Sequence, residues 1–297
     1  MNSGAIAVNK PSGFTSHDVV AKARGIFKTK KIGHTGTLDP MATGVLVLLV
    51  GNAVKASDLV GDGEKRYRAS FRLGIATDTE DVTGKTVETG GAIPSLEELR
   101  ASAARLEGGY QQTPPMYSAV KVDGKKLYEY ARRNQTVERT PKFVTVTGLT
   151  VLPTDDPLEF VAETSCSRGT YIRTLLCDLA RGAGALCAMS SLVRTLSGGF
   201  TLEDCVTLEQ LQSAPDPYSL LVPVEKLFSD LPAVTLPDFY KRLAVNGQPI
   251  YSSRSGIPAG EPGSLVRLYG SDGCFFALAR AVDTEEGGAL KVEKRFI

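Results

Sequence analysis

Gly33-His-Thr-Gly-Thr-Leu-Asp-Pro-Met-Ala-Thr-Gly44, running directly into Val45-Leu-Val-Leu-Leu-Val50, is the stretch from which the rest of the chain is read. A loop this dense in glycine, threonine and proline holds backbone and polar side chains in set positions. The apolar run behind it is far too short to cross a bilayer and has the length of a buried strand. Pro40 biases Asp39 toward extended backbone, which limits how its carboxylate can swing. Taken alone, an Asp-Pro pair commonly does no more than open a turn. The surroundings must decide.

Gly-Thr beside Asp suggests an aspartyl-phosphate loop, but there the aspartate precedes the Thr-Gly-Thr, whereas Asp39 follows it. No Gly-x-x-x-x-Gly-Lys-Ser/Thr sequence is present to hold a nucleotide, so phosphoryl transfer is set aside. The 297 residues allow one large domain or two unequal ones. With 42% hydrophobic and 23% charged residues, a disordered chain is excluded. Lysine and arginine number 34 against 33 acidic residues, a net charge of +1 that by itself does not argue for a nucleic-acid partner. Binding depends on where the charges lie. Met1–Val8 lacks the basic start and long apolar core of a signal peptide. Five scattered cysteines without a Cys-x-x-Cys pair read as small buried residues in a reducing compartment. Only His17 and His34 are available, so a zinc site would have to be assembled from distant groups. A cytoplasmic, metal-free protein with no membrane partner is expected.

Working outward, Ala5–Val8 reads as a short strand and Asn9-Lys-Pro-Ser-Gly13 as a turn. Thr15 or Ser16 caps a helix to about Phe27. The alternation in Tyr67-Arg-Ala-Ser-Phe-Arg-Leu73 predicts a strand, and residues 77–91 a polar surface loop. Ser95-Leu-Glu-Glu98 is a capping box that opens a helix to about Leu106. A helix is expected at 125–133, strands near 143–152 and 158–166, a helix at 171–181 and a strand near 185–196. Residues 200–231 read as acidic and helical. Prolines then punctuate short strands at 264–269, 274–282 and 289–296, the pattern of a small barrel or sandwich. Strands and helices mix without repeated βαβ units, so the fold class is α+β with a boundary near 231–237.

Gly33–Leu46 resembles the signature of the TruB family of tRNA pseudouridine synthases, and the resemblance extends well beyond one loop. Asn9-Lys-Pro-Ser-Gly13 with Thr15-Ser16, Lys65-Arg-Tyr67, Gln112-Thr-Pro-Pro-Met-Tyr-Ser-Ala-Val-Lys121, Leu127-Tyr-Glu-Tyr-Ala-Arg132 and Cys166-Ser-Arg-Gly-Thr-Tyr-Ile-Arg-Thr-Leu175 fit in order. Together they cover most of residues 5–200. The resemblance implies a catalytic core of pseudouridine-synthase type, with a mixed, mainly antiparallel sheet, over residues 1–231, including an RNA-gripping insertion at 112–142. A small β-rich, PUA-like RNA-binding domain is implied over 232–297. The implied reaction isomerises uridine to pseudouridine at U55 in the T-arm loop of tRNA, with no cofactor. The glycosidic bond breaks at N1, the uracil turns, and C5 rejoins C1′, with no net hydrolysis or redox change.

Residue by residue, the resemblance makes Asp39 the nucleophile, a group ordinarily ionised at neutral pH. Whether it attacks the sugar, attacks the base or promotes glycal formation stays open. Arg173 matches the arginine that pairs with this aspartate, and Tyr67 the tyrosine that stacks on the flipped uracil. Lys10 is implied as support of the active site, and Leu192 as an apolar residue packing beside the target base. Val193 stands where the family commonly has a second basic residue. His34 matches the residue that enters the space vacated by the flipped base, where a planar ring replaces a lost stack. Lys121, Lys125, Lys126, Arg132 and Arg133 fall in the RNA-gripping segment, interleaved with Tyr117, Tyr128 and Tyr130. A stand-alone enzyme acting as a monomer without guide RNA is expected. A guide-directed catalytic subunit and a non-catalytic RNA chaperone are the alternatives; the first commonly carries long basic extensions, and the intact Asp39, Tyr67 and Arg173 argue against the second.

The net charge divides along the chain. Residues 1–75 carry 11 basic and 5 acidic side chains, 109–150 carry 7 and 3, and 164–199 carry 4 and 1. Residues 76–108, 151–163 and 200–239 are acidic in balance. Positive charge therefore concentrates where the RNA motifs lie, and a basic cleft on a neutral molecule is expected. Affinity for a tRNA transcript, measured by fluorescence anisotropy, should fall steadily as salt rises; a salt-independent affinity would contradict the charge partition.

Overall fold

Thr43–Val50 forms a strand buried on both faces, which explains its unbroken apolar run. Leu46, Leu48 and Val50 face the principal core, and Val45, Val47 and Leu49 face a second cluster on the opposite side. In the computed structural model residues 3–133 and 135–297 are described; Met1 and Asn2 of the N-terminal stretch and Asn134 of the 112–142 segment lie outside the described residues.

The elements that position the site are β1 (Gly4–Lys10), α1 (Ser16–Ile26), β2 (Ile32–His34), β3 (Thr43–Val50), β4 (Lys65–Leu73), α2 (Leu96–Ala104), β5 (Val146–Pro153), β6 (Glu159–Cys166), α3 (Ile172–Gly182) and β7 (Cys187–Ser197). The main sheet runs β5-β6-β4-β7-β3-β1, with Val222–Pro223 at the far edge and β2 also paired to β3. Its pairings are antiparallel except one: β7 meets β3 in parallel, only at Val193↔Thr43 and Arg194↔Gly44. Gly44 makes this approach possible. Its φ is +100°, and a Cβ there would lie 2.3 Å from the Arg194 carbonyl oxygen.

The three helices cover one face. Val19, Val20, Ala23 and Phe27 bring α1 onto the principal core, Leu99 and Ala103 bring α2, and Ile172, Leu175, Leu176 and Leu179 bring α3. Thr15 and Asp18 form a capping box that starts α1, and Ser95 and Glu98 form one that starts α2. Ser16, once inside the helix, is buried and bonds to the main chain of Leu38.

The C-terminal section comprises β8 (Ala233–Leu236), α4 (Asp238–Val245), β9 (Ile250–Tyr251), β10 (Leu265–Gly270), β11 (Phe275–Thr284) and β12 (Gly287–Arg295). Its five strands run β8-β10-β11-β12-β9 around an apolar cluster of their own, including Leu236, Leu268, Phe276 and Leu290. Phe275 and Phe296 point the other way and pack against the second face of the main sheet. Asn52 donates to the Phe296 carbonyl at 3.2 Å, and Lys294 pairs with Asp58 at 2.7 Å. The architecture is α+β with a mainly antiparallel sheet and a smaller β-rich C-terminal section. Among the described residues no helix is long and apolar enough to cross a membrane.

Three local expectations are corrected. Residues 200–231 contain one α-helix, Leu208–Ser213, and two short 3-10 turns, because Pro215, Pro217 and Pro223 remove the donors a longer helix needs. The helix at 125–133 shrinks to Leu127–Ala131, because Asp123-Gly124, both at positive φ, turn a hairpin pairing Lys121–Val122 with Lys125–Lys126. The surface loop at 77–91 is a hairpin, Ile75–Thr77 with Thr86–Thr89, whose connecting residues include the buried Asp81.

Gly44→Ala should lower the thermal midpoint clearly, reflecting a loss of about 2 kcal/mol or more from the positive φ and the contact with Arg194. A melt superimposable on that of the wild type would show that the two strands can separate without cost.

Candidate active site

The loop between β2 and β3 is fastened along its length. Thr35 N–H donates to the Val47 carbonyl at 3.1 Å, and Ser16 Oγ accepts from Leu38 N–H at 2.8 Å. Gly13 N–H donates to the Pro40 carbonyl at 2.9 Å, and Ala42 N–H to the Asp39 carbonyl at 3.1 Å. Lys10, fully buried, gives its three N–H bonds to the carbonyls of Pro11, Phe14 and Pro40 at 3.0, 2.6 and 3.1 Å. Burial pulls its ammonium down to about 8, while the Asp39 charge acts in the opposite sense. At neutral pH three carbonyls therefore meet a charged amine with three donors.

Asp39 projects from this loop onto Arg173, the second residue of α3. Arg173 Nε and Nη2 lie 2.9 and 3.4 Å from the two carboxylate oxygens of Asp39, a bidentate fork. The other Arg173 contacts are the carbonyls of Thr79 at 2.6 Å and Tyr117 at 3.1 Å. A second carboxylate, Asp81, stands 3.9 Å from Nε and is tied down by the Thr79 hydroxyl and by the N–H and hydroxyl of Thr83. The Arg173 side chain is 6% exposed, whereas that of Asp39 is 34% exposed. The arginine is thus sunk in the protein, and the carboxylate it holds still meets solvent.

Asp39 and Arg173 line a cavity of about 600 Å³ between the β2–β3 loop, the face of β4 and β7, the start of α3 and the segment 117–119. Tyr67 forms part of its lining, with Arg194 as its cross-strand partner. Burial raises the Tyr67 phenol above its ordinary value, partly opposed by the Arg194 charge, so it is neutral at pH 7. Leu192, two residues before Arg194, supplies apolar wall. His34 also lines the cavity; burial and Arg194 lower its pKa, and its Nδ1 is buried without a hydrogen-bond partner. It presents a neutral planar ring.

Asp39, Tyr67, Arg173, Leu192 and His34 thus meet in one cavity, and Lys10 lies directly behind its loop. Lys121, Lys125, Lys126, Arg132 and Arg133 do not line it. They sit on the hairpin and short helix of 121–133, which is anchored by the fully buried Leu127. Tyr128 links the two regions: its ring lines the cavity, and Lys126 and Arg132 lie 5.4 and 5.2 Å from its centroid.

Sequence reasoning missed Asp81, Lys65 and Arg194. Asp81 is hidden by a Thr/Gly-rich segment that has no periodicity. Lys65 had a readable signal, since it stands two residues before Tyr67 on a strand and therefore shares its face. Arg194 stands two residues after Leu192 on β7. Among the described residues no cluster of three or more His, Cys, Asp or Glu could hold a metal ion.

Comparison with known proteins supplies context for this arrangement. The model of the TruB family pseudouridylate synthase (N terminal domain) matches residues 24–172. A tRNA pseudouridine synthase B from Cupriavidus metallidurans is 40% identical, with 98% of this chain and 93% of that protein covered. One from Staphylococcus aureus is 45% identical, covering 84% and 85% respectively. Among solved structures, a chain of a Cbf5-Nop10-Gar1 complex superposes with a TM-score of 0.72 at 27% identity, over 99% of this chain and 85% of that one.

Removing the guanidinium leaves two carboxylates facing each other and two carbonyls without donors. Arg173→Met should therefore cost about 3 kcal/mol, read as a lowered urea midpoint. An unchanged midpoint would mean that the fork contributes no net stability.

Proposed function

Because the chain belongs to the TruB family of pseudouridylate synthases, we propose that it converts uridine to pseudouridine in tRNA, at U55 of the T-arm loop, without guide RNA. The observation that carries this reading is the Asp39–Arg173 fork at a cavity large enough for a nucleoside, with the carboxylate half-buried but open to solvent and the guanidinium buried. Such a pair holds a charged nucleophile in one orientation without hiding it from substrate. Greater identity to proteins named tRNA pseudouridine synthase B than to Cbf5 supports guide independence.

In this reading the target uridine leaves its stack and enters the cavity, with its base against the Tyr67 ring and Leu192. His34 fills the space left in the loop of the RNA, and its neutral ring is suited to stacking there. Asp39 then acts on the nucleotide while Arg173 and Asp81 keep the carboxylate in place. Tyr128, Lys126, Arg132 and the neighbouring Lys121, Lys125 and Arg133 grip the RNA outside the cavity. Residues 1–231 form the catalytic domain and residues 232–297 a PUA-like RNA-binding domain; the separate apolar cluster of the C-terminal sheet supports that division. A tRNA substrate supports a cytoplasmic location.

The test is incubation of purified protein with unmodified tRNA transcript, a chelator and no guide RNA, followed by pseudouridine mapping. Product is expected at the T-loop uridine, and Asp39→Asn should abolish it while still binding the transcript. His34→Ala should slow reaction with folded tRNA and leave reaction with an already exposed uridine largely intact. Tight RNA binding without product from wild-type protein would overturn the reading.

A further inference from the structure

Two cations in the cavity wall stand outside the Asp39–Arg173 pair, and among the described residues neither is held by a carboxylate in an ion pair. The Arg194 side chain is 1% exposed. Its guanidinium donates to three main-chain carbonyls, Nε to Val45 at 2.7 Å, Nη2 to Gly36 at 3.1 Å and Nη1 to Thr37 at 3.4 Å, and also faces the Tyr67 hydroxyl. Lys65 is buried as well, with Nζ donating to Gly61 at 2.6 Å and Gly63 at 3.2 Å. Among the described residues neither has an ion-pair partner within 4.0 Å. The two converge on one glycine: a Cβ on Gly36 would lie 3.5 Å from both Arg194 Nη1 and Lys65 Cε. Burial and the charge of Arg194 both pull the Lys65 ammonium below its ordinary value, and the charge of Asp62, which is not in contact, only partly opposes them.

Two buried like charges side by side are costly, and carbonyls satisfy their N–H bonds without cancelling the charge. Two N–H bonds of Arg194, beside the Tyr67 hydroxyl, and one of Lys65 are not taken up by these carbonyls. The neighbouring Thr35 hydroxyl is buried, lines the same cavity and has no partner. The arrangement asks for an anion. It cannot be the Asp39 carboxylate, which Arg173 already holds.

We propose that Lys65 and Arg194 are catalytic residues that bind the uracil carbonyl oxygens and neutralise the negative charge arising there. This inference rests on the pseudouridine reading above. When the C1′–N1 bond breaks, its electron pair leaves on N1 and spreads to O2 and O4. The deficit at C1′ is met by the Asp39 carboxylate or by loss of the C2′ proton. If Asp39 instead adds to C6, the C5=C6 pair moves onto O4. Each route therefore puts charge on the base oxygens. After the base turns, C5 bonds to C1′ as the Asp39–C1′ bond breaks or as the glycal regains its C2′ proton; in the C6 route the adduct then expels the Asp39 carboxylate. C5 loses its proton, N1 takes one up, the carboxylate is free again, and the composition is unchanged. Cations fixed before the charge develops need no reorganisation as it forms, which is the general basis of oxyanion stabilisation.

The test compares wild type, Lys65→Met and Lys65→Arg on unmodified tRNA transcript, measuring the Kd and the single-turnover rate with saturating enzyme. Lys65→Met should slow the rate on the order of 10²-fold while the Kd changes by less than about threefold. Lys65→Arg should recover most of the rate, because it restores charge without restoring shape. Should Lys65→Met melt far below wild type, Lys65→Gln serves, since its amide keeps a donor for Gly61 and carries no charge; the same loss of rate is expected. A raised Kd with an unchanged saturating rate would mean that the cations grip a backbone phosphate, and would overturn the proposal. An undiminished rate with wild-type affinity would overturn it as well. No product from the wild-type protein would overturn the functional reading together with this one.

Discussion

The fork between Arg173 and Asp39 is the interaction on which the site depends. It joins residues 134 positions apart, one at the start of a helix and the other in a loop between two strands. A buried guanidinium is stable only with its charge compensated and its donors used, and the surrounding structure meets both needs. Asp39 and Asp81 supply the negative charge, while the carbonyls of Thr79 and Tyr117 take further N–H bonds. The helix face of the sheet, the 75–89 hairpin and the 117–119 segment all converge on one side chain for that reason.

Around this pair the cavity keeps two kinds of cation apart. Arg173 is matched by carboxylates, whereas Lys10, Lys65 and Arg194 are held by main-chain carbonyls. A carbonyl satisfies a donor but leaves its charge in place, so the wall behind the β2–β3 loop stays electropositive in a protein whose overall charge is only +1. The exposed basic residues of 121–133 form a separate zone joined to the cavity through Tyr128. In the function proposed for the protein, RNA affinity and chemistry at the base draw on different sets of positive charge.

How much of this was readable depended on whether the signal was local. The N-cap at Thr15 or Ser16, the capping box at Ser95 and the alternation of β4 are short-range patterns, and the structure has helices and a strand there. The helix expected across 200–231 failed on prolines whose missing donors outweigh an acidic, amphipathic composition. The hairpin at 121–126 was also local, since Asp123-Gly124 favours the tight turn that shortens the following helix. The buried role of Asp81 was not local at all. Its partner Arg173 lies 92 residues away, and nothing in Thr77–Thr83 distinguishes it from a solvated turn.

The amino-acid sequence by itself determined the α+β class, the family, the loop that carries Asp39 and the segments rich in positive charge, because motifs, hydropathy periods and composition are properties of neighbouring residues. Only the tertiary structure decided which charges are paired. The positive φ of Gly44 lets β7 approach β3 and sets Arg194 against the carbonyls of Gly36, Thr37 and Val45. The pleat of β4 places Lys65 beside it, and among the described residues no carboxylate forms an ion pair with either. Ion pairing depends on distance in space and on exclusion of water, and neither quantity is encoded at any single position of the chain.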